Sequence, residues 1–190
     1  DSTGSVGLGN EEDGIHINGC YYCPSHVRVY HTRIGSDSEN VLTLVSGNRR
    51  NGVHVGGPRT IIRGVLIGTD FTGSIALPNN HARYGIGGGI MVAHGEDVVI
   101  GSEDDSKIIT LISGNIRAGI TCERYSYSEG FDRVHGTTIH GVLIGTDLTG
   151  TLPLPNTGDG IEIRPKAQLV VIGSENKEIE TVLSGNGYDG

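Results

Sequence analysis

Short runs in which apolar and polar residues alternate, each opened by glycine, recur five times along the chain. They are Gly14-Ile15-His16-Ile17, Gly52-Val53-His54-Val55, Gly89-Ile90-Met91-Val92, Gly119-Ile120-Thr121-Cys122 and Gly160-Ile161-Glu162-Ile163. The first and third residues after glycine are apolar in every copy, and the middle one is mostly polar. A period of two puts alternate side chains on opposite faces of an extended chain, so each run predicts a short strand with one face inward. Between these runs lie other β-branched stretches, Thr60-Ile61-Ile62, Val98-Val99-Ile100, Ile108-Ile109-Thr110 and Val170-Val171-Ile172, predicted as further short strands. The strand–helix alternation of a doubly wound sheet is absent.

The pattern is nested in a longer repeat. Gly64-Val65-Leu66-Ile67-Gly68-Thr69-Asp70-Phe71-Thr72-Gly73 recurs as Gly141-Val142-Leu143-Ile144-Gly145-Thr146-Asp147-Leu148-Thr149-Gly150, and Leu77-Pro78-Asn79 as Leu154-Pro155-Asn156. Ile34-Gly35-Ser36 returns at Ile100 and Ile172, spacings of 66 and 72 residues. Ser46-Gly47-Asn48 returns at Ser113 and Ser184, spacings of 67 and 71. Motif order is kept while spacing varies, as when insertions fall in loops. A strand of about three residues cannot bury its apolar face alone, but stacked on an equivalent strand one coil away it pairs its backbone and continues a core. The expectation is an all-β parallel β-helix, one unit over 1–190, with about five coils of roughly 30 residues and two coils per long repeat. Gly supplies positive φ at the corners, and Asn48, Asn115 and Asn186 are expected to stack as an internal structural ladder.

Composition fits this picture. Gly numbers 32, Trp is absent, and 35% of residues are hydrophobic, enough for a core. The formal charge of −8 disfavours a nucleic-acid partner, which needs clustered Lys and Arg. The acidic runs Glu11-Glu12-Asp13 and Glu103-Asp104-Asp105 read as solvated loops, with cation binding as the alternative. No stretch reaches the roughly 20 apolar residues that span a bilayer. Cys20 and Cys23 lack the second ligand pair of a zinc site, and a local disulfide between them is one reading. Cys122 aligns with apolar positions and is expected as a buried free thiol.

The Ile-Gly-Thr-Asp-x-Thr-Gly, Leu-Pro-Asn and Ser-Gly-Asn motifs, followed by Gly-apolar-x-apolar strands, resemble right-handed β-helix repeats of the pectin-lyase-like superfamily. The resemblance is greatest to large, repeat-rich extracellular proteins. It covers nearly the whole chain. It implies the right-handed fold and an extracellular or cell-surface setting, but no particular chemistry, because that superfamily hosts lyases, hydrolases, epimerases, adhesins and non-enzymes.

Asp1-Ser2-Thr3-Gly4 aligns with Asp70-Phe71-Thr72-Gly73, and the chain stops at Gly190, where a next strand is due. No capping segment is evident at either end. The expected partners are therefore further repeats or identical subunits end to end, in a longer array, a processed product or a filament.

Candidate chemistry is sparse. The outward middle positions are His16, His54, Met91, Thr121 and Glu162, and no carboxylate cluster of the glycosidase kind stands in that column. His16 and His54 fall on adjacent coils. Two solvent-facing histidines in equivalent positions is the plain reading, with a shared metal or an acid–base pair as the alternative. Asp70 and Asp147, each beside Gly and Thr, most simply cap a turn, with Ca²⁺ ligation as the alternative. Tyr21, Tyr22, Tyr125 and Tyr127 occupy the two loops that break the repeat most, where a polysaccharide-stacking surface would sit. The function expected from all this is a non-enzymatic extracellular structural or adhesive segment. The alternative is a polysaccharide lyase, an epimerase or a carbohydrate-binding module.

Overall fold

The computed structural model describes residues 9–18, 31–39, 42–80, 87–104, 107–123 and 135–190. Its strands fall into five coils of three. The first coil holds β1 (Ile15–Ile17), β2 (Arg33–Gly35) and β3 (Thr43–Val45), and the second β4 (Val53–Val55), β5 (Ile61–Arg63) and β6 (Val65–Ile67). The third holds β7 (Gly88–Val92), β8 (Val99–Gly101) and β9 (Leu111–Ile112), and the fourth β10 (Ala118–Cys122), β11 (Thr138–His140) and β12 (Leu143–Ile144). The fifth holds β13 (Ile161–Ile163), β14 (Val171–Ile172) and β15 (Val182–Leu183). Every third strand pairs in parallel, giving three five-stranded sheets ordered β1-β4-β7-β10-β13, β2-β5-β8-β11-β14 and β3-β6-β9-β12-β15. No helix occurs among the described residues, and the architecture is an all-β parallel β-helix.

Register explains why such short strands suffice. Ile34, Ile62, Ile100, Ile139 and Ile172 stand in one inward column, each paired with the next. Val45, Ile67, Ile112, Ile144 and Leu183 form another. The central members of both columns are fully buried, and burying each such side chain is worth about 1.5–3 kcal/mol. Stacking like on like keeps this burial continuous from coil to coil. One expected strand shifts: the third sheet takes Leu111–Ile112 rather than Ile108-Ile109-Thr110, because Leu111 and Ile112 are the residues in register with Leu66 and Ile67. Thr110 works at the corner instead, its hydroxyl accepting from the Gly64 N–H at 3.2 Å.

A ladder of asparagines runs up one corner, with a rung in every coil rather than every second one. Each side-chain amide donates to the next carbonyl oxygen, from Asn10 to Asn48 (3.0 Å), Asn79 (2.8 Å), Asn115 (2.9 Å), Asn156 (2.9 Å) and Asn186 (3.0 Å). The steps are 38, 31, 36, 41 and 30 residues, so most coils run longer than the roughly 30 residues expected from sequence. The second hydrogen of the Asn79, Asn115 and Asn156 amides goes to the backbone carbonyls of Val45, Ile67 and Ile112. Thus Ser-Gly-Asn and Leu-Pro-Asn, unlike in sequence, deliver the same buried side chain on alternate coils.

The Asp70 and Asp147 segments are small antiparallel excursions, bridged at Thr69–Ala76 and Thr146–Pro153. Only the second and fourth coils carry them among the described residues. The Leu148 N–H donates to the Gly73 carbonyl at 3.0 Å, so one excursion touches the next across the intervening coil.

Candidate functional site

Strand alternation sends His16 and His54 out from the first sheet, and register places them side by side on β1 and β4. Their rings meet edge to face with centroids 4.4 Å apart. The two Nδ1 atoms lie 3.3 Å from each other. Asp13 joins them from two residues before β1. Its Oδ2 lies 2.9 Å from the His16 Nδ1 and 3.6 Å from the His54 Nδ1. The side chains of His16, His54 and Asp13 are 48%, 22% and 6% exposed, so the carboxylate forms the floor and the imidazoles the rim.

Asp13 is fixed from the other side. Its Oδ1 accepts from both the backbone N–H and the side-chain amide of Asn51, each at 3.0 Å. Asn51 is held in turn, since its Oδ1 accepts from the Gly88 N–H at 3.0 Å. Burial pushes the Asp13 carboxyl up, but hydrogen bonds with His54 and His16, the His54 charge and the Asn51 N–H outweigh it and hold the carboxyl below its ordinary value. Asp13 is therefore not the solvated acid expected from its run. Its neighbours Glu11 and Glu12 pair with Arg49 and Arg50 on the next coil, the latter at 2.6 Å, contacts worth about 0–1 kcal/mol each at a surface.

Further along this face Met91 and Thr121 are buried despite pointing outward. At its far end Arg164 lies 2.9 Å from Glu162 and 3.6 Å from Glu123. A shallow cavity of about 330 Å³ opens there, lined by Arg117, Thr157, Asp159, Glu162, Arg164 and Tyr188. Glu123 thus joins Glu162 around Arg164 on this face, from a position outside the column of middle residues. Glu123 stands one residue past its strand and escapes a search of middle positions. Both acids lie against one guanidinium, that of Arg164.

Among the described residues, Asp70 and Asp147 belong to no cluster of three or more metal-ligating groups. Asp70 Oδ1 accepts from the N–H groups of Ser74 (3.0 Å) and Ile75 (2.9 Å), and Oδ2 from the Thr72 hydroxyl (2.6 Å). Asp147 repeats the pattern with Thr151, Leu152 and Thr149. At Asp70 burial raises the carboxyl, but the Thr72 hydroxyl and the turn N–H groups bring it below its ordinary value. At Asp147 the Leu152 N–H and Thr149 hydroxyl do the same against a smaller effect of burial. Cys122 is a buried free thiol, pushed up to about 12 by burial. Tyr21, Tyr22, Tyr125, Tyr127, Cys20 and Cys23 lie outside the described residues. No described helix is long and apolar enough to cross a membrane.

No protein-family model matches the chain, and neither the curated proteins nor the solved structures contain a match.

Proposed function

We propose that the chain is a non-catalytic extracellular β-helix segment, used as structural or adhesive material and continued end to end by further coils or by identical subunits. One observation carries this reading: the polar residues that repeat along the chain are spent on the fold itself. The Asn79, Asn115 and Asn156 amides give both hydrogens to the ladder and the backbone, and the Asp70 and Asp147 carboxylates close their own turns. A repeat selected for chemistry would offer unsatisfied groups at repeated outward positions, whereas the repeated Asn and Asp side chains here turn into the ladder or into their own turns.

The purified chain is expected to leave pectin and alginate undegraded, with and without Ca²⁺, and to form elongated particles by electron microscopy as concentration rises. Depolymerisation that disappears in Glu162→Gln would overturn the reading. A second reading, a polysaccharide-active or carbohydrate-binding face, is favoured by the Glu123–Arg164–Glu162 cluster and the cavity beside it. Retention of the chain on immobilised polyuronate, lost in Arg164→Ala, would favour it.

A further inference from the structure

We propose that Asp13, His16 and His54 form a three-ligand site for one divalent transition-metal ion, Zn²⁺ foremost, using Asp13 Oδ2 and the Nδ1 atoms of both histidines.

Geometry is the first support. The three donor atoms are separated by 2.9, 3.3 and 3.6 Å. In a tetrahedral zinc site with ligand bonds of about 2.0–2.2 Å, ligand atoms stand about 3.3–3.6 Å apart. An ion about 2.05 Å from each donor would sit about 0.7 Å above their plane, close to the ideal for one face of a tetrahedron. Water would complete the fourth position, since His16 at the rim is 48% exposed.

Donor chemistry is the second support. Two imidazole nitrogens and one carboxylate oxygen suit Zn²⁺, Ni²⁺ or Cu²⁺, whereas Ca²⁺ takes six to eight oxygens. A surface histidine can turn either ring nitrogen toward water, and these two side chains are 48% and 22% exposed. Here both direct Nδ1 at one carboxylate oxygen, even though this brings two ring nitrogens within 3.3 Å of each other. A cation between them removes the need for one nitrogen to donate to the other.

Pre-organisation is the third. Asn51 grips the Asp13 oxygen that faces away from the histidines, and the Gly88 N–H grips Asn51. Outer partners of this kind fix a carboxylate ligand and typically matter 10–100-fold for affinity. The site also joins two coils, since Asp13 and His16 belong to the first and His54, 38 residues on from His16, to the second. A bound ion would therefore clip the first coil to the second, which a structural segment of the kind proposed above can use but does not require.

The test is calorimetric titration of the intact chain with Zn²⁺ after its thiols have been alkylated, so that Cys20 and Cys23 do not compete. One ion per chain is expected, with a rise in thermal midpoint of several degrees at saturating Zn²⁺. His16→Ala, His54→Ala and Asp13→Asn should each weaken binding at least about 10-fold, and Asn51→Ala should weaken it through Asp13 alone. Co²⁺ in place of Zn²⁺ should give the visible bands of a four-coordinate nitrogen–oxygen site in the parent chain and lose them in His54→Ala. His16 and His54 sit at the rim, so far-ultraviolet circular dichroism of their variants should match the parent and show that any loss of binding is local. Undetectable Zn²⁺ binding at about 100 µM, or binding unchanged in both histidine variants, would overturn the proposal.

Discussion

Replacing Asn115 by alanine removes the middle rung of the asparagine ladder. Its side chain is fully buried. Its amide donates to Ile67 O, Ser113 O and Asn156 Oδ1, and its Oδ1 accepts from the Asn79 N–H and the Asn79 amide. The substitution leaves the Asn79 N–H with no acceptor, at about 1–3 kcal/mol for an unpaired buried donor. The Asn79 amide and Asn156 Oδ1 keep other partners, so those losses cost about 0.5–1.5 kcal/mol each. The total is about 2–6 kcal/mol, a large share of the roughly 5–15 kcal/mol that holds a typical domain together. In urea, with a slope of about 2–3 kcal/mol per molar, the midpoint should fall by about 0.7–3 M while the slope is kept. Asn10→Ala provides the control: Asn10 is an exposed end rung, and its loss should cost about 1 kcal/mol or less. The reasoning is refuted if Asn115→Ala moves the midpoint no further than Asn10→Ala does.

Gly101 and Gly173 occupy the same motif position with φ of +95° and +97°. A Cβ at Gly101 would run into the His140 carbonyl, and one at Gly173 would meet nothing. Gly173→Ala should thus cost only backbone strain, about 1–3 kcal/mol, and Gly101→Ala clearly more; equal drops in thermal midpoint would contradict this. In a chain carrying Cys20→Ser and Cys23→Ser, the Cys122 thiol, pushed up to about 12, should resist Ellman's reagent at pH 8 and react once guanidinium unfolds the protein; prompt labelling of the native chain would rule out a sealed core. Asp70 and Asp147 are held below the ordinary aspartate value of about 3.9. Their contribution to stability is complete above that value and lost as pH falls through the lower folded values, so the thermal midpoint should drop below about pH 4. Asp70→Asn with Asp147→Asn should flatten that drop, and an unchanged acid limb would assign it to other groups.

The first sheet was legible because its five strands share glycine and a two-residue period, which together fix both register and facing. The third sheet was harder. Val65–Ile67 and Leu143–Ile144 are runs of consecutive apolar residues without a two-residue alternation to mark them as strands. Half of the asparagine ladder was visible in Ser-Gly-Asn. Asn10, Asn79 and Asn156 were hidden because coil length varies between 30 and 41 residues and because a different flanking sequence turns the alternate corner. At the candidate site the histidine pair followed from period alone. Asp13 did not, because its burial depends on Asn51 of the next coil, although its 38-residue offset from Asn51 matches that of His16 from His54. Glu123 and Arg164 were missed because they stand just beyond their strands, where alternation no longer says which way a side chain points.

The contact between Leu148 and Gly73 sets a rule for how such a chain can lengthen. Two excursions that meet across an intervening coil fill the height of two coils, about 9.6 Å at the usual strand spacing. Deleting one coil would force neighbouring excursions into half that height, and duplicating one would leave them out of reach. Lengthening between the second and fourth coils would break this contact, so there the structural unit is the pair of coils, although each single coil carries a full set of three strands.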